Sequence, residues 1–264
     1  VIQEERILRW TRGQPPVTES DGLAVEEPLA IRVDGRTIQI TMRTPGHDLE
    51  LALGFLAAEG ILRTAADATA ELGDRPNRID IALRPEIRID FDKLTRHVFG
   101  SSSCGLCGKT AIDRVRLPFD PVRGSGTIAA ETLLGLPSQL RARQTVFART
   151  GGLHAAAVFT MGGDPVALRE DIGRHNAVDK LLGFGVQRGA LPFTDAVLMV
   201  SGRTSFEILQ KAVAGGFAIV AGISAPSSLA VQFARETGQT LVGFLREDRF
   251  NVYAGAERIR FDPA

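Results

Sequence analysis

Three continuous apolar runs, AVLMVSG (196–202), FAIVAGIS (217–224) and TLVGFL (240–245), leave this chain few ways to fold. They lack the period-two alternation of a strand with one wet face, so each is a strand that must be covered on both sides. The stretches between them, TSFEILQKAVAGG and SSLAVQFARETG, have helical spacing and end in glycine. Thr204 or Ser205 and Gly215 are the expected cap and stop of the first helix. Strand and helix alternate, which predicts an α/β sheet buried between helices. Upstream, HAAAVFT and PVALRED read as strands joined by MGGD, and HNAVDKLLGFGVQRG as a helix. A further helix is expected to begin near residue 128, and FNVYAG reads as a last short strand or turn.

The first hundred residues follow a different pattern. PLAIRVDGRTIQITMRT (28–44) alternates on both sides of Asp-Gly, a strong hairpin signal. PGHDLELALGFLAAEGIL (45–62) changes to a helical period, with Leu49, Leu53, Leu56 and Ala57 on one face and Asp48 as cap or first-turn acid. RIDIALR and EIRIDF read as short strands, and residues 1–22 as an extended lead-in. The organisation predicted is a small α+β unit over 1–98, a mobile linker over 99–125, and an α/β domain over 126–264.

Composition narrows the function. Lys+Arg and Asp+Glu both number 31, so no global field draws the chain to nucleic acid or an anionic membrane. No run approaches the roughly 18 apolar residues of a spanning helix, and the start, VIQEERILRW, lacks a signal-peptide core. Two cysteines are too few for a disulfide scaffold, which makes the cytoplasm the expected compartment.

Those cysteines, Cys104 and Cys107, form a C-x-x-C pair in FGSSSCGLCGKTAID (99–113). Structural zinc needs four ligands, and the spacing does not supply them within one chain; two chains could assemble a Cys₄ site. A thioredoxin-like pair would sit between a strand and a helix, a pattern missing here. A sulfur carrier needs an accessible thiolate, which Lys109 would favour and the neighbouring glycines and serines would accommodate. An inert buried pair is the plain alternative, although the Gly/Ser surroundings offer little to bury it.

A second candidate site lies at strand ends. SGRTSFE, GISAPSS and FLREDRFNVYAG place Arg203, Ser224, Arg246 and Arg249 just past three strands. In an open α/β sheet this is where anionic ligands bind. Two guanidinium groups three positions apart can clamp phosphates, or simply form a solvated patch with Glu247 and Asp248. REDIGRHNAVDKLL groups Asp171, Arg174, His175, Asn176, Asp179 and Lys180; Asp179 either orients His175 or simply pairs across the helix turn. His154 begins an apolar run. No G-x-G-x-x-G after a strand and no P-loop motif occurs.

Taken together, SSSCGLCGK (101–109), TGGLHAAA (150–157), EDIGRHNAVDK (170–180), SGRTSFEILQKA (201–212) and FLREDRFNVY (244–253), with DGLAVEEPLAIRVDG near the start, resemble the FdhD family of formate dehydrogenase accessory proteins. The resemblance implies a cytoplasmic, homodimeric sulfurtransferase. It would take sulfane sulfur from a cysteine desulfurase as a persulfide on Cys104, with Cys107 assisting. It would pass the sulfur to Mo-bis(molybdopterin guanine dinucleotide), the cargo required by formate dehydrogenase. The C-terminal domain would bind the cofactor through Phe244, Leu245, Arg246, Glu247, Asp248 and Arg249, and GDP-like nucleotides would be partial mimics; Arg203 and Ser224 join this set from their strand-end positions. Its larger domain would resemble the cytidine deaminase fold. The zinc chemistry of that fold is not expected, because His154 is followed by Ala155 and Ala156 and no cysteine follows Cys107. A non-catalytic chaperone for cofactor insertion and a dithiol redox protein are the alternative readings.

Overall fold

The computed structural model describes residues 1–72, 76–89, 91, 120–122 and 124–261. Cys104, Cys107, His97 and most of the expected linker lie outside the described residues.

The lead-in is a two-stranded antiparallel ribbon, β1 (Ile2–Arg9) and β2 (Val17–Ala24). Its residues are mostly exposed on both faces, so it carries no apolar alternation that would mark it as strand. The expected hairpin forms as β3 (Glu27–Val33) and β4 (Arg36–Arg43). Asp34 and Gly35 between them have φ 47° and 78°, the positive-φ pair that tight hairpin turns favour. Helix α1 (Asp48–Ala58) follows, then β5 (Ala68–Leu72) and β6 (Arg78–Leu83), giving a four-stranded sheet in the order β4-β3-β6-β5. The predicted strand EIRIDF is not formed over its described residues: a turn, Arg84 O to Ile87 N–H, ends β6. Ile89 and Phe91 pack on the core without a ladder, and that burial alone produces the alternation.

The rest of the chain continues with β7 (Ile128–Ala129), α2 (Ala130–Arg143), the short α3 (Phe147–Thr150), β8 (His154–Thr160), β9 (Pro165–Asp171) and α4 (Arg174–Arg188). It ends with β10 (Ala196–Val200), α5 (Phe206–Ala214), β11 (Ile219–Gly222), α6 (Ser228–Thr237), β12 (Thr240–Gly243), β13 (Asn251–Ala254) and β14 (Ile259–Arg260). Six strands form one mixed sheet, β13-β12-β11-β10-β8-β9, with β10, β11 and β12 parallel and the others antiparallel. Successive residues alternate between its faces. Leu198, Val200, Val220 and Leu241 pack under α4, α5 and α6. Val197, Met199, Ala221 and Val242 pack with Leu133, Leu136 and Leu140 of α2. The continuous apolar runs are therefore the strands covered on both sides.

Helix α1 departs from its expected single buried face: every residue from Glu50 to Ala58 is buried. One side covers the four-stranded sheet through Leu51 and Leu56. The other crosses α4 at Gly54 and Gly183, where the backbones meet with no side chain between them. Asp48 is a first-turn acid and not the cap; its carboxylate accepts from Arg43 Nε at 2.9 Å and Nη2 at 2.8 Å. Among the described residues, no helix is long and apolar enough to cross a membrane.

Candidate functional site

The parallel strands β10, β11 and β12 end together, and backbone bonds join the loops that follow them into one rim. Thr204 N–H donates to Ala225 O at 3.2 Å, and Ser227 N–H to Thr204 O at 3.0 Å. Phe244 N–H donates to Ser224 O at 3.2 Å, and Leu245 N–H to Gly222 O at 3.1 Å. The three loops singled out from sequence are thus neighbours, and Arg203, Ser224 and Arg246 belong to one edge of the sheet.

Their side chains differ in what they offer. Arg203 is exposed and makes no hydrogen bond or ion pair among the described residues. Arg246 Nη1 donates to Ile223 O and, at 2.9 Å, to Leu245 O, which ties an exposed guanidinium to the β11 loop. Arg249 pairs with Asp248 at 3.1 Å, both far out in solvent, and Glu247 is exposed. Such an exposed pair contributes little to stability and leaves Arg249 available to an anion. Leu245 is wholly buried against the α2 side of the sheet, so it offers a ligand main chain only. Phe244 is 41% exposed and holds φ 51°, a region sparsely populated by side-chain-bearing residues. Strain of this kind concentrates at ligand sites, where surrounding bonds hold it.

The group from REDIGRHNAVDKLL separates into two sets. Asp171 and Lys180 form a buried pair at 2.7 Å, and Asn176 Nδ2 donates to Asp171 at 3.0 Å. These residues join α4 to the end of β4 and do not face the rim. Asp179 does not contact His175; its carboxylate takes Lys211 Nζ at 2.7 Å, and burial pushes its pKa up against that pairing. Arg174 and His175, at the start of α4, are only partly buried. His175 Nε2 lies 2.9 Å from Glu207 Oε2 and 3.4 Å from Ser205 Oγ. Ser205 occupies the cap position of α5 but makes no cap bond, and the Thr204 hydroxyl is buried without a partner.

The hydrogen bond from His175 holds the Glu207 carboxyl below the usual glutamate range, against the opposing effect of burial. A depressed acid stabilises the fold above its unfolded pKa and loses that contribution as pH falls through the folded value. Glu207 should therefore titrate lower than a free glutamate in an NMR pH series, and His175→Ala should return it to the ordinary range. The same variant should have a shallower loss of stability on the acid side.

Beside the rim, sequence reading overlooked a cleft of about 400 Å³ lined by Arg141, Gln144, Phe147, His154, Ser201 and Ile223, among others. Glu170, near the end of β9, holds the start of α3: its carboxylate accepts from the N–H groups of Val146 at 3.0 Å and Phe147 at 2.8 Å. The Arg141 guanidinium lies 4.4 Å from the Phe147 ring centroid. Burial, then the nearby Arg174 charge, lowers the His154 pKa, which favours the neutral imidazole. Ser201 Oγ accepts from Ala155 N–H at 2.8 Å, leaving its own proton free to donate. The RARQTVFAR stretch (141–149) carries no motif; only the tertiary fold brings it to the strand ends.

A model of the FdhD/NarQ family matches residues 24–260. A curated relative from Streptomyces coelicolor, named Sulfur carrier protein FdhD, is 49% identical over 98% of this chain and 96% of its own. A protein of the same name from Sulfolobus acidocaldarius is 43% identical, covering 98% of both chains. A crystal structure of a candidate formate dehydrogenase accessory protein from Desulfotalea psychrophila superposes with TM-score 0.77 at 22% identity, covering 98% of this chain and 99% of that one. The mixed α/β fold is thus shared along the whole length.

Proposed function

The chain belongs to the FdhD/NarQ family, and from that premise we propose that it is a sulfur carrier that serves formate dehydrogenase maturation. The observation that supports this reading most is the rim: three strand-end loops, bonded to one another, present Arg203, Arg246 and Arg249 along one edge. Such an edge suits a large phosphate-bearing cargo, Mo-bis(molybdopterin guanine dinucleotide), with the arginines on its phosphates. Phe244, Ser224, Glu247, Asp248 and the main chain at Leu245 complete the proposed contact.

Sulfur would enter through Cys104. Its thiolate attacks the outer sulfur of a cysteine desulfurase persulfide and displaces the desulfurase thiolate. The product is a Cys104 persulfide. If Cys107 only tunes the thiolate, the outer sulfur passes to the bound cofactor as sulfane sulfur, Cys104 leaves as its thiolate, and the accepting cofactor supplies the two electrons that take that sulfur to sulfide. If Cys107 instead attacks the inner sulfur of the persulfide, the outer sulfur leaves to the cofactor as sulfide and a Cys104–Cys107 disulfide forms, to be reduced by an external thiol. The reaction would run in the cytoplasm, and a homodimer would offer one protomer to each nucleotide half.

Peptide mass spectrometry after incubation with a cysteine desulfurase and cysteine tests the carrier step. One added sulfur atom is expected on the Cys104 peptide and none in Cys104→Ala, which should still bind GDP. No adduct on reduced wild-type protein would favour a cofactor-binding chaperone. Calorimetry with GDP tests the rim: Arg246→Ala should weaken binding about tenfold, the loss of one charge-assisted contact. Unchanged affinity would remove Arg246 from the site.

A further inference from the structure

The ribbon β1–β2 ends in an apolar tip. Leu8 is 69% exposed, Trp10 65% and Val17 55%. Exposed apolar side chains gathered at one place mark a contact site. The base of the ribbon is accounted for: Arg149 Nη2 of α3 donates to Glu4 at 3.4 Å, and a Cβ on Gly22 would lie 3.6 Å from Arg149 O. The tip has no such role. The FdhD/NarQ model matches from residue 24 onward, so the ribbon lies outside the matched stretch.

Register decides what kind of surface the tip fits. Leu8 pairs with Thr18 and Arg9 with Val17, so Leu8 and Val17 stand on opposite faces of the ribbon. A protein seated on one face would cover one of them and leave the other wet. Three side chains at a hairpin end also fall far short of the roughly 800 Å² per partner that a stable protein interface buries. A lipid headgroup layer has neither limit, because it closes around whatever enters it. Tryptophan favours that layer, where its ring is apolar and its N–H stays wet. The turn between the strands keeps its backbone groups outside the ladder, which holds it at headgroup depth and out of the hydrocarbon.

Charge agrees. The whole chain is neutral, but residues 8–18 contain Arg9 and Arg12 and no acid. Glu5 stands about 17 Å of strand behind Trp10, beyond the roughly 8 Å over which exposed charges act in physiological salt. Glu19 is nearer, and Arg9 pairs with it at 2.7 Å. Arg12, in the turn, has no acidic partner among the described residues.

We propose that the ribbon tip is a membrane-contact element: Leu8, Trp10 and Val17 enter the headgroup zone of an anionic bilayer, and Arg12 meets its phosphates. Contact through so few side chains is weak and reversible, so the protein visits the membrane and is not anchored in it. The inference goes beyond the sulfur-carrier reading and does not depend on it.

Trp10 is the only tryptophan in the chain, so its fluorescence reports the tip alone. Vesicles of phosphatidylcholine with phosphatidylglycerol should shift its emission to the blue and carry the protein down on sedimentation. High salt, or phosphatidylcholine alone, should weaken both signals. Leu8→Ser combined with Val17→Ser should abolish them, and Arg12→Glu should weaken binding to the anionic vesicles about tenfold, each with the circular dichroism of wild type. Neither blue shift nor sedimentation in wild type would overturn the proposal. So would vesicle binding that survives in both variants, since another surface would then be responsible. A blue shift that follows protein concentration, with vesicles silent, would assign the tip to a second copy of the chain. One that appears only with apo-formate dehydrogenase would assign it to that enzyme, and either result would overturn lipid as the occupant. If the double variant does not fold, Arg12→Glu, in the exposed turn, serves alone.

Discussion

Lys180→Met should lower the unfolding free energy by about 3–5 kcal/mol, the cost of leaving one member of a buried ion pair alone. Lys180 is 1% exposed and Asp171 is fully buried, with Nζ and Oδ2 2.7 Å apart. Asp171 also accepts from Thr44 N–H at 3.2 Å, Gly173 N–H at 2.8 Å and Asn176 Nδ2 at 3.0 Å. Lys180 donates to Thr44 O at 2.8 Å. Methionine fills the space but leaves a carboxylate facing neutral donors only. Against the roughly 5–15 kcal/mol that holds a typical domain together, this is a large fraction. Urea denaturation would read it as a lower midpoint. Asp171→Asn in the Lys180→Met background should cost much less than the sum of the two single changes, because the charge to be matched is gone. Additive losses would mean that the pair contributes little and that packing alone holds this corner.

How much of this was legible beforehand follows from which forces leave a local trace. The strands β10, β11 and β12 were readable because burial on both faces demands an uninterrupted apolar run, as in Ala196–Val200. The turn at Asp34-Gly35 was readable because few residues accept its backbone angles. Ribbon β1–β2 was not, because Glu4, Glu5 and Arg6 are exposed and no buried face imposes a period. The three strand-end loops could be named from order alone, since the ends of parallel strands share an edge by construction. The fate of Asp171, Asn176 and Lys180 could not. A polar motif that bonds the core to Thr44 looks, in sequence, like one that faces a ligand.

Gly54→Ala should destabilise the fold by about 3 kcal/mol, the upper end of ordinary overpacking, because what it meets cannot yield cheaply. A Cβ there would lie 1.7 Å from the Asp179 carbonyl oxygen, which belongs to the backbone of α4. The crossing is reciprocal: a Cβ on Gly183 would lie 1.8 Å from the Glu50 carbonyl oxygen of α1. No rotamer change relieves either clash, so the helices must separate. That displaces α4, whose first turn carries Arg174 and His175 beside the rim. Thermal melts should show a fall in midpoint, and the affinity for GDP should weaken in the same variant although residue 54 is remote from the strand ends. Gly54→Ala and Gly183→Ala combined should cost less than their sum, because helices parted by the first methyl have room for the second. A strictly additive pair would mean that each clash is absorbed locally, with α1 and α4 keeping their spacing and the rim undisturbed.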